Sequence, residues 1–169
     1  MKPDEMERAR RLCYQADSFS RVNVLLETCP VVHRGGFRVV GNEWFSLLGE
    51  FWDMCDNIGQ YREFFRPILR KATKAQLQAM MTDEEREKWE LLSDPIRAWR
   101  GCEANDGTGL SFSLSEDIAR RFPFLNRYLA KSPTLLTASI RKEFAVLKLG
   151  RDEEEIISAR AIIENIEAL

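Results

Sequence analysis

The sequence predicts an α+β protein, with helices first and strands second. Two patterns and a boundary point there. Up to about residue 94, apolar side chains recur at helical spacing; after Pro95 they alternate with polar ones over short runs; Asp94-Pro95 separates the two regimes. The expected organisation is a helical region over 1–94 packed on a compact β core over 95–169, the whole forming one compact unit. A chain of 169 residues has room for one such core with a helical appendage.

The helical region divides as follows. Met6, Ala9, Cys13 and Ala16 mark a first helix, and breaks fall at Cys29-Pro30 and Gly35-Gly36. Asn42 suits an N-cap for a segment whose face carries Trp44, Leu47, Leu48, Phe51, Cys55 and Ile58, with Gly59 as the stop. Tyr61, Phe64, Phe65, Ile68 and Leu69 form another stripe, bent or broken near Pro67. Thr82 and Glu85 have the spacing of a capping box ahead of Trp89 and Leu92. Aromatics at helical spacing are read as core rather than as the lining of a cofactor pocket.

In the second region, Ile96 to Cys102 is a short apolar run, and Asn105-Asp106-Gly107 is a turn signal inside the loop from Glu103 to Gly109. Leu110 to Leu114 alternates apolar residues with serine, as a strand with one polar face does. Ser115 caps a short helix through Phe122, and Pro123 ends it or starts another. Leu135 to Ile140 and Phe144 to Leu149 are expected strands, and Gly150-Arg151-Asp152 turns tightly into a strand at Glu155-Ile156-Ile157. From Ala161 to Leu169 a helix and a strand are equally defensible.

Composition narrows the function classes. Lys+Arg of 25 against Asp+Glu of 27 leaves no basic excess, which argues against nucleic acid as a partner. The cluster Arg66, Arg70, Lys71 and Lys74 reads as a solvated helix face. Cys13, Cys29, Cys55 and Cys102 are scattered, without a CxxC pair, and His33 is the one histidine, so no metal site is expected and the thiols read as separate and buried. The N-terminus lacks a signal-peptide apolar core, and no run approaches a membrane span; the expectation is a cytoplasmic protein with no membrane contact.

Three groups of residues carry chemistry. Trp99-Arg100-Gly101 sets a cation near a strand end beside a glycine that permits close backbone approach. Ser111 and Ser113 share a strand face, and Glu153 and Glu155 share another, roughly 7 Å apart by strand rise. Taken singly, each has an ordinary explanation: Arg100 pairing with an acid such as Glu103, a solvated serine face, and an acidic surface run.

In this order, the groups resemble the R-S-E class of ADP-ribosyltransferases, which includes arginine-directed toxins and compact phage and bacterial relatives. That class has an Arg on its first core strand, an S-T-S strand followed by a short helix, and an E-x-E opening a late strand. Residues 95–160 carry the resemblance; Phe112 stands where the central Thr is usual, and only ten residues separate Arg100 from Ser111. The resemblance implies an ADP-ribosyltransferase-like β core with NAD⁺ as substrate and no metal. Glu155 would be catalytic, stabilising an oxocarbenium-like ribose as the nicotinamide bond breaks. Ser111 would hold Glu155, with Ser113 assisting; Arg100 would contact the diphosphate and Gly101 the nicotinamide amide. Glu153 would orient an acceptor guanidinium. The implied activity is mono-ADP-ribosylation of a protein side chain, arginine first, by a phage or bacterial effector acting in a host cell, with NAD⁺ glycohydrolysis as a near relative. The alternative is a non-catalytic binding or regulatory module whose helical half docks on a partner.

Overall fold

The computed structural model describes residues 3–29, 41–107, 109–125, 129–150 and 153–169, and of Pro3, Asp4 and Glu153 the backbone only. Pro30, His33, Gly35-Gly36 and Arg151-Asp152 therefore lie outside the described residues. The protein is α+β, with its helices concentrated in the N-terminal half and an antiparallel six-stranded sheet in the C-terminal half. Two compact units divide between Thr82 and Asp83. Among the described residues, no helix is long and apolar enough to cross a membrane.

The first unit contains α1 (Pro3–Gln15), α2 (Arg21–Thr28), α3 (Asn42–Phe51), α4 (Arg62–Lys71) and α5 (Lys74–Ala79). Met6, Ala9 and Cys13 face its core from α1, and Trp44, Leu47, Leu48 and Phe51 from α3. Asn42 is the first residue of α3; the N-cap is Gly41. α3 also ends at Phe51 rather than at Gly59. The chain beyond it is tied to the α1–α2 corner: the Asp56 N–H donates to Ser18 O, and the Asn57 side chain donates to Phe19 O. A continuing helix could not offer those groups. α4 runs through Pro67, its buried Phe65, Ile68 and Leu69 holding the turn that the imino acid weakens. Thr73 and Gln76 form a capping box at the start of α5. The buried Arg21 guanidinium donates to the carbonyls of Cys13 and Ala16 at 2.8 Å and to that of Met54, satisfying backbone groups at the end of α1.

The second unit begins with α6 (Asp83–Leu91), then β1 (Ile96–Glu103), β2 (Ser111–Ser113), α7 (Glu116–Arg121), β3 (Pro133–Ile140), β4 (Val146–Gly150), β5 (Glu153–Ile157) and β6 (Ile162–Ala168). Its strands lie in the order β4-β5-β2-β1-β3-β6. The division precedes α6 because that helix is anchored to the strands. Glu85 Oε2 accepts from Lys148 Nζ at 2.9 Å, Glu85 Oε1 accepts from the Leu149 N–H at 3.0 Å, and Lys142 Nζ donates to the carbonyls of Glu90 and Leu92. Asp94-Pro95 is a cis peptide between α6 and β1. Phe144 falls in a short 3-10 turn before β4. The last segment is a strand: β6 pairs along β3 from Thr134↔Ala168 to Ser139↔Ile162, with an irregularity at Thr137/Ala138. All four cysteines are buried free thiols.

Candidate functional site

β2 pairs all three of its residues with β5 but joins β1 through one pair, Trp99↔Ser113, whereas β1 and β3 are in register over eight positions. The sheet is thus two halves, β4-β5-β2 and β1-β3-β6, joined at a point. Such a split leaves backbone groups to be satisfied by other means. One is the Ser111 carbonyl, which accepts from Arg100 Nη1 at 3.0 Å. Extended from Trp99↔Ser113, an unbroken ladder would set the Gly101 N–H there.

Residues directly opposite one another share a sheet face, and neighbours along a strand alternate. Lys148↔Glu155, Glu155↔Ser113, Ser113↔Trp99 and Trp99↔Thr137 therefore form one row across five strands, with Ser111 two positions along on the same face. Backbone bonds at Leu114 N→Glu154 O and Ser158 N→Leu110 O put Ser113↔Glu155 at a non-hydrogen-bonded position, where cross-strand side chains approach most closely. Ser113 is buried and Glu155 half-buried. Ser113 Oγ accepts the Ser115 N–H at 3.0 Å, which fixes the oxygen and leaves its single O–H to donate. Ser115 in turn caps α7, its Oγ accepting from the Ile118 N–H at 3.4 Å. The serine paired with Glu155 across the strands is Ser113; Ser111 lies opposite Ile157.

Arg100, one residue from Trp99, belongs to the other face, opposite Leu136. Its side chain is 20% exposed, and Nη2 lies 3.4 Å from Asp106 Oδ2. The acid beside it is thus Asp106; Glu103 instead accepts from the N–H groups of Lys131 and Ser132 ahead of β3. Gly109 is packed so closely that a Cβ there would fall 2.1 Å from Arg100 Cζ. Arg100 Nε is buried with no hydrogen-bond partner. Burial pushes the nearby Cys102 thiol up, against the pull of the Arg100 guanidinium, so it is no ready nucleophile. Gly101 has a packing duty: a Cβ would meet Ala119 O of α7 at 1.9 Å and Pro123 Cδ at 2.6 Å.

The structure thus brings Ser111, Ser113 and Glu155 to one face and sets Arg100 at the split on the other. The Glu153 side chain lies outside the described residues; its backbone pairs with Gly150. Sequence spacing gave no sign of Lys148 and Glu85, an ion pair with both side chains 5% exposed, next to Glu155 in the row. A lysine alternating with Leu147 and Leu149 reads as an outward strand residue, and its partner is 63 positions away. Among the described residues, no group of three His, Cys, Asp or Glu could hold a metal ion. Comparison with protein-family models, with characterised proteins and with solved structures gave no match.

Proposed function

We propose that the second unit is an NAD⁺-dependent mono-ADP-ribosyltransferase, with Glu155 as the catalytic carboxylate and a protein side chain, arginine first, as acceptor. The observation that carries this reading is the Ser113↔Glu155 pair, set at a close cross-strand position beside the point where the sheet splits. Cleavage of the nicotinamide–ribose bond develops positive charge on the ribose, which an ionised, oriented carboxylate stabilises more in the transition state than in the ground state. Ser113, its oxygen already held by Ser115, has the O–H to orient Glu155. Ser111 lines the same face two positions along the strand. At 3.4 Å, the Arg100–Asp106 contact is long for a charge-assisted bond, so a diphosphate reaching the split would compete with Asp106 for the guanidinium.

Nicotinamide release from NAD⁺ tests this, run with the whole protein and with Glu155→Gln, with and without cell lysate. The expected result is release that falls at least ~10²-fold in the variant, with label transferred to lysate proteins. Release without transfer would mean a glycohydrolase. The second reading, a non-catalytic binding module, draws on Arg100 lying across the sheet from Glu155, its guanidinium engaged by Ser111 O and Asp106. Absence of both NAD⁺ turnover and NAD⁺ binding would select it.

A further inference from the structure

We infer that Glu85 is a positioning residue: it holds the Lys148 ammonium at the edge of the sheet, where its charge favours the ionised form of Glu155 without drawing the carboxylate off the site. The catalytic consequence rests on the function proposed above; the electrostatic coupling does not.

Three observations carry the inference. Lys148 and Glu155 are directly opposite on β4 and β5, which puts their Cβ atoms about 5 Å apart on one face. The Lys148 ammonium is engaged by Glu85 at 2.9 Å, in a pair with both side chains 5% exposed. Glu85 is itself fixed, because its other oxygen accepts the Leu149 N–H at 3.0 Å. A buried pair is costly to desolvate and is often replaceable by apolar side chains without loss of stability, so stability alone does not account for it.

The coupling has a definite sign. A lysine beside a carboxylate favours its ionised form, the form that stabilises an oxocarbenium. A lysine free to swing would also pair with that carboxylate, placing a positive charge where the ribose develops one. Glu85, bonded to the ammonium at 2.9 Å, holds it against that swing. Among the described residues, the charged groups placed around Glu155 include Lys148 on β4 and Glu85 on α6; Lys88 of α6 lies 3.7 Å from Glu154, which alternation assigns to the opposite face. Removing Glu85's charge and removing Lys148's charge must therefore move Glu155 in opposite directions.

The experiment is a ¹³C-carboxyl NMR titration of Glu155 in the full chain, as wild type, Lys148→Met and Glu85→Gln, each followed by the pH profile of nicotinamide release. Glu85→Gln retains an acceptor for the Leu149 N–H. The expected midpoint rises by about one pH unit in Lys148→Met and falls in Glu85→Gln. The acid limb of the release profile moves with it, and Glu85→Gln slows release at neutral pH. Lys148→Arg restores the wild-type midpoint. Midpoints that stay put, or move together, overturn the inference and leave the pair as a tie between α6 and β4. If Lys148→Met does not fold, Glu85→Gln decides alone, by whether the midpoint falls. A wild type that releases no nicotinamide but shows the opposed shifts refutes the enzymatic reading and keeps the coupling.

Discussion

At the scale of single residues, Arg100 separates two roles that one guanidinium could fill. Its Nη1 donates to Ser111 O, and Gly109 packs on its Cζ, so it holds the start of β2 against β1 where strand pairing lapses. Losing hydrogen bonds from a charged donor costs about 1.5–3 kcal/mol. Arg100→Met is expected to lower the stability of the second unit by that amount in urea unfolding. Lys at this position should not restore it, because one ammonium cannot span Ser111 and Asp106 as the fork does. A diphosphate ligand with no structural duty would behave differently: the variants would unfold like wild type and only lose NAD⁺ binding. The arginine was visible in the sequence, but its side of the sheet was not. A single cross-strand pair, Trp99↔Ser113, sets the parity that puts Arg100 away from Glu155.

At the scale of elements, α7 sits against β1 only because Gly101 has no side chain. Gly101→Ala places a methyl group 1.9 Å from the Ala119 carbonyl, which rigid helix backbone cannot yield cheaply. A destabilisation of about 1–3 kcal/mol is expected, the range for overpacking. Gly59→Ala, where a Cβ meets nothing within 4 Å, should be near neutral and serves as the control in the same thermal melts. Local chemistry foretold this part well. Ser115 as cap, the Ser-x-Ser alternation and the short helix behind it are all set by side chains bonding within a few residues, and the structure has them. The length of α3 was not foretold, because it depends on Asp56 and Asn57 bonding to Ser18 and Phe19, 38 positions away in the chain.

Across the whole molecule, the buried thiols set an alkaline limit. Burial pushes Cys13 and Cys55 up to about 11 and raises Cys102 as well, in each case against a nearby arginine. A raised folded-state value means that the folded chain retains protons which the unfolded chain has released. Stability from these groups is therefore complete below about pH 8.5, the ordinary thiol value, and declines as pH rises towards 11. Denaturation midpoints measured from pH 7 to 10.5 should fall over that window. The fall in the first unit should flatten in Cys13→Ala/Cys55→Ala, while a slope unchanged by the double variant would assign it to other groups. At neutral pH the same thiols should alkylate slowly until the chain unfolds.

The sequence by itself determined the class of the fold, most element positions, the buried free cysteines and the residues with chemistry to offer. Those follow from periodicity, capping and turn preferences, which act over a few residues. The tertiary structure decided which of those residues meet. It set Ser113 rather than Ser111 against Glu155, gave Arg100 to the split and Asp106, and put Lys148 and Glu85 beside the candidate carboxylate. Strand register and the fixing of α6 on β4 arise from pairing between distant segments. A shift of one residue exchanges the two faces of a strand, so no local pattern could have settled them.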